Sequence, residues 1–352
     1  MAEPDRRRLE FVSFAYAIGG ILVVFGHSYP LGKAYIPETL LTIRSFIYTF
    51  HMPLFFFISG MLLNYTSECS NHHSYKQELI FIKKKASKLL IPYFLLALVA
   101  IIPKYMVSQY ISDTVSLDGG YLIKTLLSPR DNVWGHFWFI PVLFFFFCFR
   151  IIWLRAAKRT ALAIALTVFV VVLHFYPLNS SWVGLRDISI YCIFFWLGVI
   201  SSEYVITKQL QLFSLFLSIF SLTGAMSIFF GLSYNWVSTS LKGLSLLLIA
   251  VLMIYAILGL GIEYQRRNFS FFAVFNEKIF TIFLLSWPFQ AVVEVCFNKI
   301  LKLSWLWVTP AMFTAGLLGP LLVIYMINKM QIKNQLLRTT LGLSSRSLKN
   351  EQ

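Results

Sequence analysis

Two histidines stand out in this chain because each lies at or inside a long apolar run. His27 closes the run that starts after Glu10, and His51 is followed at once by Met52 and Pro53. A neutral imidazole can act as a general base near neutral pH, since its unperturbed pKa is about 6.5. Within a membrane an ionisable group is a candidate functional residue. The alternatives are that the first histidine snorkels to the membrane surface and that the second bonds a carbonyl freed by the proline.

A cluster of lysines is the second chemical feature. Lys83, Lys84, Lys85 and Lys88 directly precede the apolar sequence LLIPYF. Their charges can hold the phosphate groups of a ligand, or they can set membrane topology and bind anionic lipid. Both interpretations stay open, and we take Lys84, Lys85 and Lys88 as candidate cofactor-binding residues.

Aromatic side chains and one carboxylate complete the set. Trp138 and Phe139 open a further apolar run, and Trp287 and Glu294 lie in a late run that contains Pro288. Aromatic planes suit sugar stacking, although tryptophan also anchors helices at membrane interfaces. Glu294 can orient an imidazole or bind a substrate hydroxyl, unless it is paired or solvated. The candidate catalytic residues are therefore His27, His51 and Glu294, and the candidate substrate-binding residues are Trp138, Phe139 and Trp287.

Several familiar kinds of site have no counterpart in the sequence. It shows no Gly-rich phosphate loop, no serine nucleophile elbow and no cluster with metal-ligand spacing. Its four cysteines indicate neither a metal site nor a disulfide framework. We expect no metal, and any catalysis must use imidazole, lysine and carboxylate groups.

The composition is that of an integral membrane protein. Hydrophobic residues make up 58% of the chain and charged residues 13%, and the mean hydropathy is +0.72. Soluble domains are about 45–50% apolar and about 25% charged. The net charge of +15 comes from basic residues scattered in short loops between apolar runs. This pattern indicates membrane topology and not nucleic-acid binding.

The apolar runs predict about ten transmembrane helices, because about 20 helical residues cross a hydrocarbon core of about 30 Å. We expect an all-α polytopic membrane protein with its helices in one bundle. Lysine and arginine are concentrated in the loops on the side of the N-terminus, which predicts that both termini are cytoplasmic. One transmembrane domain should cover 1–330, followed by a basic cytoplasmic tail over 331–352. The segments are 11–28, 43–63, 88–107, 137–156, 160–176, 188–205, 210–231, 241–262, 276–297 and 306–327.

Two positions within these spans carry local predictions. Gly60, which follows Ser59 in the second span, can let another helix approach closely. Arg150 lies in the fourth span, near enough to its cytoplasmic end to reach the membrane surface.

Four stretches taken together resemble the integral-membrane acyltransferase-3 family: IGGILVVFGHS, FHMPLFFFISG, KLLIPYF and WFIPVLFF. They occur in this order, and LLSWPFQ extends the resemblance to a late span. A similar group is that of the polysaccharide O-acetyltransferases, which include fucose-4-O-acetylase-like proteins. The resemblance implies transfer of an acyl group, usually acetyl from acetyl-CoA, to a hydroxyl of a cell-envelope or exported glycan. It also implies a multi-pass protein of the bacterial inner membrane, with a glycan or lipid-linked sugar acceptor and membrane lipid as partners.

The family's pattern maps onto several candidate residues. His27 matches its first-helix histidine, Lys85 and Lys88 fall in its basic stretch, and the sequences around His51 and Trp138 match motifs that line a presumed cavity. The basic stretch is a plausible place for the phosphates of CoA.

One departure from the family pattern concerns the first helix. The family commonly carries arginine or lysine eleven residues before its histidine, and an acidic residue three positions earlier. These positions hold Tyr16 and Ser13 here. Tyrosine can donate a hydrogen bond to the cofactor but supplies no positive charge. Either one of the lysines substitutes, or the chain is a non-catalytic relative; a glycan or lipid-linked sugar transporter is a further alternative, since proline-broken helices also suit one.

Overall fold

The computed structural model describes residues 9–30, 36–68, 75–106, 118–207, 214–234, 241–269, 271–275 and 278–343. Every element in these ranges is a helix. Apolar side chains cover much of the helical surface, as expected where lipid takes the place of water. The chain is an all-α polytopic membrane protein, as its composition predicts.

Thirteen α-helices are found in the described ranges, and we number them in chain order. They are α1 Glu10–Gly26, α2 Glu38–Glu68, α3 Tyr75–Met106, α4 Gly119–Leu127, α5 Phe139–Cys148, α6 Arg150–Ala157, α7 Thr160–Phe175, α8 Leu185–Thr207, α9 Leu215–Ser233, α10 Lys242–Arg266, α11 Ile279–Val293, α12 Trp305–Lys329 and α13 Gln335–Thr340. A π-helical segment, Glu294–Ile300, continues α11. Short 3₁₀ turns are Pro129–Asp131, Gly135–Trp138, Trp182–Gly184 and Phe271–Phe275.

Seven of the described helices are long and apolar enough to cross a membrane, or eight if the bent pair Gly135–Cys148 and Arg150–Ala157 is one span. Two shorter apolar helices, Glu10–Gly26 and Thr160–Phe175, accompany them. Each of the apolar segments expected from the sequence overlaps one of these elements. The number that cross the bilayer, and the cytoplasmic placement of both termini, stay predictions.

The chain divides into two compact units, neither of which is continuous in sequence. The first contains Met1–Ile58 and Glu203–Leu322, and the second contains Ser59–Ser202 and Val323–Gln352. The divisions fall inside α2, α8 and α12, where the composition does not change. The single domain over 1–330 with a basic tail stays a prediction.

In the first unit, α1 packs against α10 and α11, and α9 packs against α10. Small residues let the helix backbones approach closely. In lipid, where the hydrophobic effect does not drive helices together, such van der Waals packing stabilises their association. A Cβ atom at Gly261 would lie 2.9 Å from the Phe11 carbonyl oxygen, and one at Gly20 would lie 2.8 Å from Ile279. The helix that carries His27 is therefore held from two sides.

In the second unit, Gly60 of α2 meets the backbone of α8. A Cβ atom at Gly60 would lie 2.0 Å from the carbonyl oxygen of Phe195, so only glycine fits there. Ser202 donates a hydrogen bond of 2.9 Å to the Met61 carbonyl oxygen at the same contact. The predicted close approach of another helix at Gly60 is confirmed.

The expectation for Arg150 is wrong. The axis bends by 59° between Gly135–Cys148 and Arg150–Ala157. Arg150 begins the second helix and is only 9% exposed. Its guanidinium pairs with the carboxylate of Glu78 and donates a 2.9 Å hydrogen bond to Ser67 Oγ. The charge is thus neutralised inside the second unit, because α3 supplies a buried carboxylate that periodicity alone does not reveal.

The first residues of the basic tail are folded. The short helix α13 packs against α3, and Arg338 is buried and donates to the carbonyl oxygen of Ile332 at 3.4 Å. The remainder of the predicted tail, 344–352, lies outside the described residues.

Candidate active site

A small polar cavity in the first unit brings together three of the candidate residues, His27, Trp287 and Glu294. Its volume is about 40 Å³. A cavity needs about 10–15 Å³ to hold a water molecule, and drug-sized ligands occupy about 300–1,000 Å³. The space therefore suits water or a hydroxyl group, and a whole sugar ring would have to widen it. The lining residues are His27, Tyr29, Trp287, Gln290, Ala291, Glu294 and Met312.

One face of α11 and its π-helical continuation supplies most of this lining. Trp287, Gln290, Ala291 and Glu294 are spaced as residues that share one side of a helix. Pro288 lies within α11, and Glu294, which is buried, begins the π-helical segment. Such segments are rare and often occur at functional sites. The local backbone thus places one carboxylate and one amide on the same wall.

His27 reaches the cavity because α1 ends at this residue. Its backbone lies at φ −104° and ψ 0°, and its N–H donates to the Val24 carbonyl oxygen at 3.2 Å. The last carbonyl groups of a helix have no intrahelical donor and need other partners. The Tyr48 hydroxyl donates to the Gly26 carbonyl oxygen at 2.8 Å, which ties the end of α1 to α2.

A second tether holds the same helix end from α11. Gln290 Nε2 donates hydrogen bonds of 2.9 Å to the Val24 carbonyl oxygen and 2.8 Å to Ser28 Oγ. Ser28 Oγ in turn donates to the Val24 carbonyl oxygen at 2.7 Å. The turn that precedes His27 is therefore fixed by side chains of two other helices.

A half-buried cation lies beside the cavity. The guanidinium of Arg44 lies 3.8 Å from the ring centroid of Tyr29 and 4.8 Å from that of Tyr48. Its Nε is buried and has no hydrogen-bond partner among the residues that the structure describes. Burial is the main cause that raises the pKa of Tyr29 to about 12, and the neighbouring Tyr48 raises it further. The Tyr29 hydroxyl therefore keeps its proton near neutral pH.

His51 is buried close to this group and is absent from the cavity lining. Its Nδ1 lies 2.8 Å from the carbonyl oxygen of Ile47. A carbonyl only accepts, so Nδ1 carries the proton and Nε2 is the acceptor nitrogen. The Tyr48 ring lies near both histidines, and its centroid is 5.0 Å from that of His51 and 6.1 Å from that of His27. The carbonyl bonded by His51 is not the one that Pro53 frees, which belongs to Thr49.

Tyr16 and Ser13 lie earlier on α1 and do not line the cavity. The Tyr16 ring lies 5.8 Å from the ring of Phe55, and Ser13 Oγ donates to the Leu9 carbonyl oxygen at 3.4 Å. Neither position supplies a charge to α1.

The candidate lysines lie on α3 in the second unit. Lys84 and Lys88 are exposed and, four residues apart, share one side of the helix. Lys85 is half-buried, with Nζ 4.1 Å from the ring centroid of Phe147. The positive charge of Arg150 lies close enough to interact electrostatically with Lys85. The cluster therefore presents two solvated cations and one that is held against aromatic rings.

Trp138 and Phe139 also belong to the second unit, and both are buried. The Arg130 guanidinium lies 4.3 Å from the Trp138 ring centroid, and the ring of Tyr191 lies 5.0 Å away. Arg130 is held by Asp187, with Nη2 2.6 Å from Oδ1. A sugar could stack on Trp138 only after Arg130 moves, so its role in substrate binding stays a prediction.

Three contributors to the cavity and its surroundings were not among the sequence candidates: Tyr29, Arg44 and Gln290. The spacing from Trp287 could have indicated Gln290, because residues three apart share a helix face. No local pattern indicated Tyr29 or Arg44. Within the described ranges, no group of three or more His, Cys, Asp or Glu residues could hold a metal ion.

An imidazole and a carboxylate at a small polar cavity are groups suited to proton transfer during group-transfer chemistry. Together with the helical fold, they are compatible with a membrane enzyme that catalyses group transfer. A family model described as an acyltransferase domain matches residues 13–328. The chain belongs to the acyltransferase-3 family, which confirms the resemblance and supports acyltransferase activity in general. A comparison with curated proteins and one with solved structures found no significant match.

Proposed function

We propose that this protein is a membrane-bound O-acyltransferase that moves an acyl group, in the usual case acetyl from acetyl-CoA, to a hydroxyl of a cell-envelope or exported glycan. Its location would be the bacterial inner membrane. The observation that carries the proposal is the convergence of His27, Trp287 and Glu294 on one cavity within a chain of this family.

In the proposed reaction, the neutral imidazole of His27 takes the proton of the acceptor hydroxyl. The oxygen attacks the thioester carbonyl carbon, so that a C–O bond forms and the C–S bond breaks. The CoA thiolate leaves and takes the proton back from the imidazolium. A positioned general base contributes typically about 10²–10⁴-fold to such a rate.

The neighbouring groups support this role of His27. Glu294 lines the same cavity and can accept a hydrogen bond from the acceptor or stabilise the imidazolium. His51 helps to position His27, because its ring packs against Tyr48 and the Tyr48 hydroxyl donates a hydrogen bond to the end of α1. Trp287 forms an apolar wall that fits a sugar face.

The donor side of the proposal rests on the second unit and on Tyr16. Lys84 and Lys88 are exposed and can meet the phosphates of CoA as point charges, with Lys85 beside them. Tyr16 lies eleven residues before His27 on α1, about 16 Å along the helix. Its hydroxyl can donate a hydrogen bond to the pantetheine arm.

The test compares His27→Ala with His174→Ala. His174 is the control, because it is a half-buried histidine of the second unit that does not line the cavity, and its Nδ1 lies 2.8 Å from the carbonyl oxygen of Ile190. In cells with equal membrane abundance of each variant, we expect glycan O-acetylation to fall by about 10²-fold or more for His27→Ala. The control should stay near the wild-type level. Acetylation by His27→Ala at the wild-type level would overturn the assignment.

A non-catalytic relative is the second candidate, and the surroundings of Tyr16 and Ser13 favour it. Tyr16 packs against Phe55 and Ser13 bonds to its own helix, so the family's charged pair has no replacement on α1. The double variant Tyr16→Lys with Ser13→Asp separates the candidates. Acetyl transfer that appears only in the double variant would favour the non-catalytic relative, and transfer by the wild type would exclude it.

A further inference from the structure

Gln290 is almost completely buried, with 1% of its surface exposed. The nitrogen and the oxygen of its side-chain amide differ in their hydrogen bonding. Nε2 makes two hydrogen bonds, to the Val24 carbonyl oxygen and to Ser28 Oγ. Oε1 is also buried, and it has no partner in the part of the chain that the structure describes. Buried polar atoms nearly always have a hydrogen-bond partner. Because Gln290 lines the cavity, a molecule that widens and enters the cavity can supply the partner that Oε1 lacks.

The chemistry of its partners fixes the orientation of this amide. The Val24 carbonyl oxygen can only accept, so the group that faces it must be the NH₂ group. The amide oxygen Oε1 therefore points away from these partners, and it can only accept hydrogen bonds. A rotated amide would set two acceptors against each other at 2.9 Å.

Close packing prevents the side chain from swinging to another partner. A Cβ atom at Gly316 of α12 would lie 2.8 Å from Gln290 Nε2 and 2.8 Å from Val24 Cγ1. The three helices α1, α11 and α12 thus meet around this amide with no room for a larger residue. Gln290 is held in one position with its oxygen unpaired.

The cavity that Gln290 lines offers two donors, the Tyr29 hydroxyl and the Trp287 indole N–H, and it also offers acceptors. A carboxylate such as that of Glu294 accepts hydrogen bonds, and so does the unprotonated nitrogen of His27. A thioester offers only acceptor atoms, whereas a sugar offers several hydroxyl donors. The lining is therefore complementary to the hydroxyl-bearing substrate.

We propose that Gln290 is an acceptor-binding residue, whose Nε2 fixes the last turn of α1 while its Oε1 accepts a hydrogen bond from a second hydroxyl next to the one that is acylated. This inference rests on the function proposed above for the same cavity. It defines the acceptor class as glycans with neighbouring hydroxyl groups. A compound with an isolated hydroxyl lacks the donor that Oε1 needs.

The test pairs two protein variants with a set of probe sugars. Gln290→Met keeps the length of the side chain and removes both the acceptor Oε1 and the donor Nε2. Gln265→Met is the matched control, because Gln265 Oε1 accepts a 3.1 Å hydrogen bond from the Phe11 N–H at the other end of α1. The probes are methyl galactoside, methyl glucoside and their singly deoxygenated analogues. Both acetyl transfer from labelled acetyl-CoA and stabilisation of the purified full-length protein against heat are measured, the second without CoA.

We expect one deoxy analogue to have a KM about 2–10-fold higher than its parent in the wild type, as loss of one hydrogen bond to a neutral group predicts. The control should show the same preference. In Gln290→Met the parent and that analogue should become equal, while the KM for acetyl-CoA stays unchanged. A purely structural role of Gln290 would lower kcat or abundance and leave the preference between the two sugars intact.

The two proposals fail in different ways. If the wild type transfers acetyl and Gln290→Met keeps the full preference between parent and analogue, the assignment of Gln290 is wrong and the acyltransferase stands. A second outcome combines three results: the parent sugar stabilises the wild type more than its analogue does, Gln290→Met abolishes this difference, and no acetyl transfer occurs. In that case the role of Gln290 stands and the proposed acyltransferase activity fails. Probe sugars that neither bind to the wild type nor accept acetyl refute the proposed acceptor class.

Discussion

Removal of the Glu78 carboxylate would leave Arg150 as an unpaired charge inside the second unit. Glu78 is 5% exposed and Arg150 9%, so neither group has water as an alternative partner. After Glu78→Ala the guanidinium would keep its hydrogen bonds to Ser67 Oγ and its position 4.7 Å from the Phe81 ring centroid. Neither partner carries a negative charge, so the charge itself would stay uncompensated.

The size of the effect follows from this burial. Removal of one partner from a buried ion pair costs about 3–5 kcal/mol of stability, because the remaining charge is neither hydrated nor neutralised. With about 2–4 °C lost per kcal/mol in a domain of 150–250 residues, the midpoint of thermal unfolding should fall by about 6–20 °C. Glu78→Gln should lie between Glu78→Ala and the wild type, because its amide oxygen can still accept from Arg150.

Thermal unfolding of the detergent-purified full-length protein is the measurement, and Glu263→Ala is the control. Glu263 of α10 also pairs with arginines, at 3.5 Å from Arg266 and 2.8 Å from Arg267, but the Arg267 side chain is 57% exposed. Water hydrates that guanidinium when the carboxylate is gone, so the control should lose little stability. A midpoint for Glu78→Ala as close to the wild type as that of Glu263→Ala would refute the importance of the buried pair.

Two further substitutions probe the second unit. Gly60→Ala forces a Cβ atom to within 2.0 Å of the Phe195 carbonyl oxygen, so membrane abundance and unfolding temperature should fall well below those of Gly224→Ala, where the nearest atom lies 3.8 Å away. Unchanged stability of Gly60→Ala would mean that the two helices are farther apart. Arg130→Lys removes the two-point contact with Asp187 (bonds of 2.6 to 3.0 Å) and should cost about 1 kcal/mol, read from thermal unfolding with tryptophan fluorescence. A variant as stable as the wild type would show that a point charge suffices there.

The helices were predictable because the bilayer imposes their length and their apolar character. Every apolar segment of the sequence coincides with a helix or a bent pair of helices. The bend before Arg150 was not predictable, since neither proline nor glycine marks it. It lies instead where a buried carboxylate from α3, Glu78, meets the guanidinium.

The candidate site was predictable in part and for a physical reason. His27 and Glu294 are polar groups at the ends of apolar runs, and such groups stand out against a hydrocarbon background. Arg44 did not stand out, because its position at the start of the second apolar run is equally that of a topology residue. Its stacking on Tyr29 depends on how α1 and α2 pack, which no local pattern encodes. The same holds for Gln290, whose tether to Val24 joins residues 266 positions apart.

The small volume of the cavity carries one consequence for selectivity. At about 40 Å³ it exceeds the about 10–15 Å³ that a cavity needs to hold one water molecule. A base that deprotonates a sugar hydroxyl deprotonates water by the same step, so in the proposed reaction the imidazole of His27 alone would not distinguish acyl transfer from hydrolysis of the donor. Any preference for the sugar over water would then come from the side chains around the base. The apolar face of Trp287 can pack against a sugar ring but gains no contact of this kind from water.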